Sequence, residues 1–423
     1  MTSGPIPRHL LPDTASVTDG ELSIGGCSVV ELANTHGTPL FIYDERHLRS
    51  RCEEAVRAFP GGVAYATKAF LCKAVARIAH ESGMALDVAS GGEIYVALAA
   101  GVPADRLIFH GNNKSLDELR YALEVGVDRI VVDSMDELDR LDRVTDARHP
   151  TKVLLRLNPG IEAHTHEYLQ TGVIDSKFGF PLADGRAEAA IDRVRSSGSL
   201  DLVGIHAHVG SQVFEASSFS NAVAALAPFV DAADVEEFSI GGGLGVAYLE
   251  EDPSISITEW GAAVHAAASD AGIRARITAE PGRAIVAQAA LTAYTVGTMK
   301  DVPGARTYLS VDGGMSDNPR PVLYGSGYEA FAPRLTDRER DRSVRIVGKH
   351  CESGDVIVYD AAIPSGTMVG DVIATPVTGA YGHSMGSNYN MIPRPPVVFV
   401  ADGEARVVVE RERYSDLVAR DVG

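Results

Sequence analysis

Between Gly62 and Arg283 eight short apolar runs recur, each followed by a longer amphipathic stretch. The runs are VAYAT (63–67), ALDVA (85–89), RLIFH (106–110), RIVVD (129–133), KVLLRL (152–157), LVGIHAH (202–208), EFSIG (237–241) and RITAE (276–280). They are rich in β-formers, and the stretches between them, such as CKAVARIAHESG and SLDELRYALEVG, carry i, i+3, i+4 apolar spacing and end in glycine. Eight β–α alternations predict an α/β fold whose parallel strands close into a (β/α)8 barrel, because open doubly wound sheets usually have fewer strands. We place this barrel at 41–284.

After Ile285 the texture changes. LTAYTVGTMKD, RTYLSVDGG, SVRIVGKH, DVIVYDAAI, GDVIATPVTGAY and PPVVFVADGEARVVVERER are strand-like pieces separated by turn residues. They predict an antiparallel β-domain over 285–423, which the strand-like N-terminal residues 1–40 (LSIGGCSVVEL) join.

Composition narrows the function. With 423 residues, 45% hydrophobic and 22% charged, the chain is long enough for two globular domains. A net charge of −19 argues against a nucleic-acid groove or an anionic membrane surface as partner. Cys27, Cys52, Cys72 and Cys351 form no C-x-x-C pair and no His/Cys cluster at zinc spacing, so reduced thiols and no metal are expected. No leader-like apolar segment opens the chain and no run of 18 apolar residues occurs, which predicts a soluble, cytoplasmic protein.

In a barrel of this type the chemistry gathers where the strands end. Those positions hold Lys68, Asp87, His110, Arg156 with Asn158, His208, Gly241–Gly243 and Glu280. Each has a plain reading beside the functional one. GGGLG is a tight turn or a phosphate loop; His208 is a bonded core histidine or a ring stacked on a flat ligand beside Gly210 and Ser211. Glu280 pairs with Arg283 or with a ring nitrogen; Cys351–Glu352 is a surface turn or a proton donor beside a carboxylate. The spacing of GGGLG does not match G-x-G-x-x-G, which argues against a dinucleotide.

Lys68 separates these readings. A lysine desolvated at a strand end becomes an amine nucleophile suited to Schiff-base chemistry. An amine for an aldehyde, a glycine loop for a phosphate and an acid for a ring nitrogen are together what pyridoxal phosphate requires.

YATKAF, HGNNKS, HVGSQ, GGGLG, EPGR, DGGMSDNPRPVLYG, KHCESGD and TGAY, in this order from about Gly37 to Asn390, resemble diaminopimelate decarboxylases. These are fold-type III pyridoxal-phosphate enzymes related to alanine racemase and ornithine decarboxylase, with a TIM-like barrel and a β-domain. The resemblance implies that Lys68 carries the cofactor and that His208 stacks on its ring. Gly243, Ser211 and the segment from Glu280 through Gly282 to Arg283 would hold the phosphate region, with the Glu280 carboxylate at the pyridine nitrogen. Arg283, Arg320 and Tyr324 would recognise the substrate, and Tyr381 would approach both cofactor and substrate. Cys351, the implied proton donor, and Glu352 would reach the site of a partner subunit, so a homodimer with shared sites is expected. The implied reaction removes CO2 from meso-2,6-diaminopimelate to give L-lysine.

One departure stands out: where the family pattern runs from a small residue to an aromatic after GAY, this chain has Gly382 and His383. The segment 162–180 matches the family's loop between strands five and six and is expected to act as a lid. Two alternatives compete with the main reading. One is a decarboxylase of the same fold acting on ornithine, arginine, carboxynorspermidine or a carrier-bound amino acid; the other is a barrel that has lost its chemistry and regulates or binds.

Overall fold

The computed structural model describes residues 7–160 and 176–423. Two compact units divide the chain: residues 51–245 with 254–284, and residues 1–50 with 246–253 and 285–423.

The first unit is the barrel. Its parallel strands run in chain order: Ala64–Ala66, Ala85–Val88, Leu107–Phe109, Arg129–Val132, Thr151–Asn158, Leu200–His206, Glu237–Ser239 and Arg276–Thr278. A parallel bridge between Val63 and Ala279 closes the circle. All eight expected runs are strands, each trimmed or extended by a residue or two. Ala64, Ile108, Val131 and Leu154 form an apolar layer, against which Ala85 and Val203 pack. Alternation along each strand sends these residues to one face and their neighbours to the surrounding helices. Serines start the helices that follow: Ser115 and Ser256 each accept the N–H three residues on, and Glu118 and Glu259 reach back to complete capping boxes.

The second unit is built on a mixed sheet. Ala290–Val302 is its spine, pairing antiparallel with Leu40–Asp44 and Val372–Pro376 through its first half and with Arg306–Val311 through its second. Most pairings are antiparallel, as expected, but Arg306–Val311 with Arg342–Val347, and Leu40–Asp44 with Val397–Ala401, run parallel. Both parallel pairs join strands with long stretches of chain between them, a separation that residue patterns do not report. The N-terminal expectation needs one correction. Glu21–Ile24 and Cys27–Ser28 are strands, joined by Gly25 and Gly26 at φ 59° and 82°, but Val29–His36 is a helix. Ser28 caps it by accepting the Glu31 N–H, and this local bond outweighs the β-propensity of two valines. Leu22, Ile24, Leu40, Ile42, Leu291 and Val398 pack into one core of this unit.

The expected lid, 162–180, lies outside the described residues up to 175; at its far end Phe180–Pro181 adds a short parallel pairing to the end of Thr151–Asn158.

Candidate active site

The barrel gathers its polar strand ends around Glu280. This side chain is buried; its Oε2 lies 2.9 Å from His206 Nε2, and its Oε1 accepts the Ser239 hydroxyl at 2.9 Å. His110 Nε2 stands 3.5 Å from Glu280 Oε1 and 3.7 Å from Asp87 Oδ1. Burial alone pushes the Glu280 carboxyl up, but His206 and His110, through charge and hydrogen bonding, hold it well below the usual range. For Asp87 burial wins and its carboxyl is raised. His110 is raised by Asp87 and Glu280 against its own burial, whereas burial keeps His206 low and neutral. The resulting centre is a glutamate held low in pKa, flanked by His110, whose pKa is raised, and by His206, whose pKa burial lowers.

His208 sits just past the end of the same strand and is half-buried. Its Nδ1 accepts the Gly242 N–H at 3.2 Å, and burial lowers its pKa well below the histidine norm, so the ring is neutral. The glycine run is where three backbone segments crowd together. A Cβ on Gly242 would lie 2.3 Å from the Glu280 carbonyl oxygen, and one on Gly243 (φ 113°) 2.3 Å from that of Gly210. Gly282 is similarly tight against the Ala66 carbonyl, at 2.9 Å. Arg283 is buried and donates through Nη2 to Ser211 Oγ at 2.8 Å.

Lys68 differs from expectation. It lies on a single 3-10 turn, Thr67–Ala69, and its side chain is exposed rather than desolvated. Thr67 is buried with its hydroxyl on the Asp87 carbonyl at 2.7 Å, and Ala69 is buried on the other side, which turns Lys68 outward. Its charge still acts on Asp87, Glu93 and His208. Asn158, buried, caps its own turn by accepting the Gly160 N–H, and Arg156 covers the Phe178 ring at 4.4 Å. Lys114, of HGNNKS, is structural: its ammonium is buried and donates to the carbonyls of Gly111 and Val131 and to Glu137 Oε1.

The other expected residues lie in the second unit. Arg320 is buried, with its guanidinium 4.2 Å from the centre of the Tyr248 ring and Nη1 donating to Tyr328 Oη at 2.7 Å. Among the described residues no carboxylate forms an ion pair with it. Tyr324 closes the short helix Arg320–Tyr324 and is half-buried, and Tyr381 holds a positive φ of 60°. Cys351 and Glu352 are exposed on one loop, and the Cys351 N–H donates to Asn390 Oδ1 at 2.8 Å.

Comparison with known proteins decides the family. The pyridoxal-binding domain of pyridoxal-dependent decarboxylases matches residues 45–287. Diaminopimelate decarboxylase of Bacillus subtilis is 46% identical over 420 residues, covering 95% of each chain. The Mycobacterium tuberculosis enzyme of the same name is 45% identical over 441 residues, covering 98% of this chain and 97% of its own. The chain belongs to the diaminopimelate decarboxylases.

A crystal structure of the diaminopimelate decarboxylase from M. jannaschii in co-complex with L-lysine superposes with a TM-score of 0.89 at 30% identity, covering 97% of this chain and 98% of that one. As a diaminopimelate decarboxylase the protein uses pyridoxal phosphate, and the barrel fits that group. It offers a solvent-facing amine on Lys68, an ionised buried carboxylate suited to a protonated ring nitrogen, and a glycine cradle beside a guanidinium suited to a phosphate.

The departure at Gly382–His383 has a local explanation. A Cβ on Gly382 would lie 2.9 Å from the Thr378 carbonyl and 3.1 Å from the Phe41 ring, while His383 meets Phe41 edge-on at 5.6 Å. Sequence reasoning missed His206, Ser239, Tyr248 and Tyr328. The first two end strands, as HAH and FSIGGG allowed one to notice; the tyrosines carry no motif and only the fold brings them to Arg320.

Proposed function

We propose that this protein decarboxylates meso-2,6-diaminopimelate to L-lysine and CO2, the closing step of lysine biosynthesis, as a cytoplasmic homodimer. The observation that carries the substrate choice is Arg320: a buried guanidinium with aromatic and phenol partners and, among the described residues, no ion-paired acid suits a substrate whose far end carries a carboxylate. Ornithine and arginine present only a cation there, and that charge would be repelled.

Pyridoxal phosphate, when bound, supplies the electron sink for the carbanion left as CO2 departs. Within the barrel segment 41–284, Lys68 would hold the cofactor through its amine, and the imidazole of His208, its pKa well lowered by burial, would pack on the cofactor. The ionised carboxylate of Glu280 keeps the ring nitrogen's proton in place. Ser211, Gly243, Gly282 and Arg283 receive the phosphate region, Arg283 also serving the substrate. Within the β-domain formed by residues 1–40 and 285–423, Arg320 and Tyr324 bind the substrate's far end, and Tyr381 orients the substrate. Cys351 delivers the proton that replaces CO2 and Glu352 binds an amine, both serving the partner's site, which is why a dimer is required.

Incubation with meso-diaminopimelate, ornithine and arginine in parallel, scoring CO2, tests this reading. Release from diaminopimelate alone is expected, and comparable release from ornithine or arginine would overturn it.

A further inference from the structure

Two groups that no motif singles out hold the carboxylate of Glu280. Ser239 ends the seventh barrel strand and His206 the sixth, and each gives Glu280 one hydrogen bond at 2.9 Å, to opposite oxygens. The direction of the serine bond is set locally. Gly241, at the start of the glycine run, donates its N–H to Ser239 Oγ at 3.2 Å, which directs the serine's own proton to Glu280. Glu280 in turn donates its backbone N–H to the Gly241 carbonyl at 2.8 Å. A closed loop therefore runs from the glycine turn through Ser239 to the Glu280 side chain and back through its main chain. His206 is buried, its Nε2–H used by Glu280, with His110 packed edge-on against its ring at 5.1 Å.

We infer that Ser239 and His206 are positioning residues that clamp both oxygens of Glu280 and couple the phosphate-side glycine turn to the orientation of that carboxylate. The inference rests on the proposed role of Glu280 at the cofactor's ring nitrogen. Two donors on opposite oxygens fix the plane of the carboxylate, so that its charge is aimed at the ring nitrogen. Losing one donor leaves the carboxylate ionised less readily and free to rotate. The titratable and charged groups facing it are His110, His206, His208, Asp87 and Arg156.

The test uses the full chain, freed of cofactor and titrated with pyridoxal phosphate by absorbance, alongside kinetics on diaminopimelate and thermal melting. Ser239→Ala is expected to weaken cofactor binding and lower kcat by about tenfold each, the worth of one hydrogen bond to a charged group. KM should hold, and the acid limb of the kcat–pH profile should move to higher pH. Ser239→Thr, which keeps the hydroxyl, should restore all of these, and His206→Gln should outperform His206→Leu. Should Ser239→Ala fold poorly, the threonine variant and the two His206 variants still decide the matter. If Ser239→Ala and His206→Leu match the wild type in cofactor affinity and pH profile while Glu280→Gln loses both, the clamp is overturned and the role of Glu280 stands. If Glu280→Gln also matches the wild type, the clamp and that role fall together.

Discussion

Asp355 takes both N–H groups of His350, the backbone at 2.8 Å and the ring Nδ1 at 2.9 Å, on a single oxygen. Its other oxygen accepts the Met315 N–H at 2.6 Å, so one buried carboxylate joins the loop bearing Cys351 to the loop leading into Arg320. Asp355→Ala would leave three donors unpaired, two of them buried on His350, and is expected to cost about 3 kcal/mol of stability and to lower kcat. Asp360→Ala, on exposed surface nearby in sequence, should change neither. Denaturant unfolding and kinetics on both variants check this.

Gly243→Ala would place a methyl 2.3 Å from the Gly210 carbonyl on a residue at φ 113°. We expect a destabilisation of at least about 2 kcal/mol and loss of cofactor retention. Gly304→Ala is the control: its φ of 75° carries the same kind of strain, but nothing lies within 4 Å of the added carbon. Thermal melting and the cofactor's visible absorbance should separate the pair; equal behaviour would show that the crowding is relieved elsewhere.

Arg320→Lys keeps the charge but loses the planar group that covers Tyr248 and bonds Tyr328. KM for diaminopimelate should rise by roughly tenfold or more, with a smaller change in kcat, because a point charge does not replace a bidentate one. An unchanged KM would place the substrate's far carboxylate elsewhere.

His383 carries a pH dependence. Burial, helped by Arg394, lowers its pKa to about 4 from the ordinary 6.5, with Glu412 opposing. An unfolded chain then takes up this proton first, so the stability is complete above pH 6.5, is lost as pH falls towards 4, and levels off below. The loss has a ceiling of roughly 3 kcal/mol by linkage. His383→Tyr, an aromatic that takes no proton, should flatten this part of the curve of melting temperature against pH between 6.5 and 4. A parallel curve would exclude His383 as the source.

Periodicity and strand-end position made the barrel legible, because each strand's pattern is written in consecutive residues. Lys68, His208, the glycine run and Glu280 followed from where strands stop. Whether a strand-end side chain is covered was not legible: Lys68 was expected to be buried and is exposed, because the turn Thr67–Ala69 rotates it away from the core.

By itself, then, the sequence determined the eight strands, their order, the glycine-ended helices between them and the chemical types at the barrel's mouth. These depend on local propensity and on apolar alternation, which act over a few residues. Tertiary structure alone decided the partners. Closure of the barrel joins His206 and Ser239 to Glu280 by hydrogen bonds and sets His110 3.5 Å from the same carboxylate, and the mixed sheet's fold sets Tyr248 and Tyr328 on Arg320. The pKa shifts of His110, Asp87 and Glu280 follow from that convergence, since burial and neighbouring charge are properties of the assembled site.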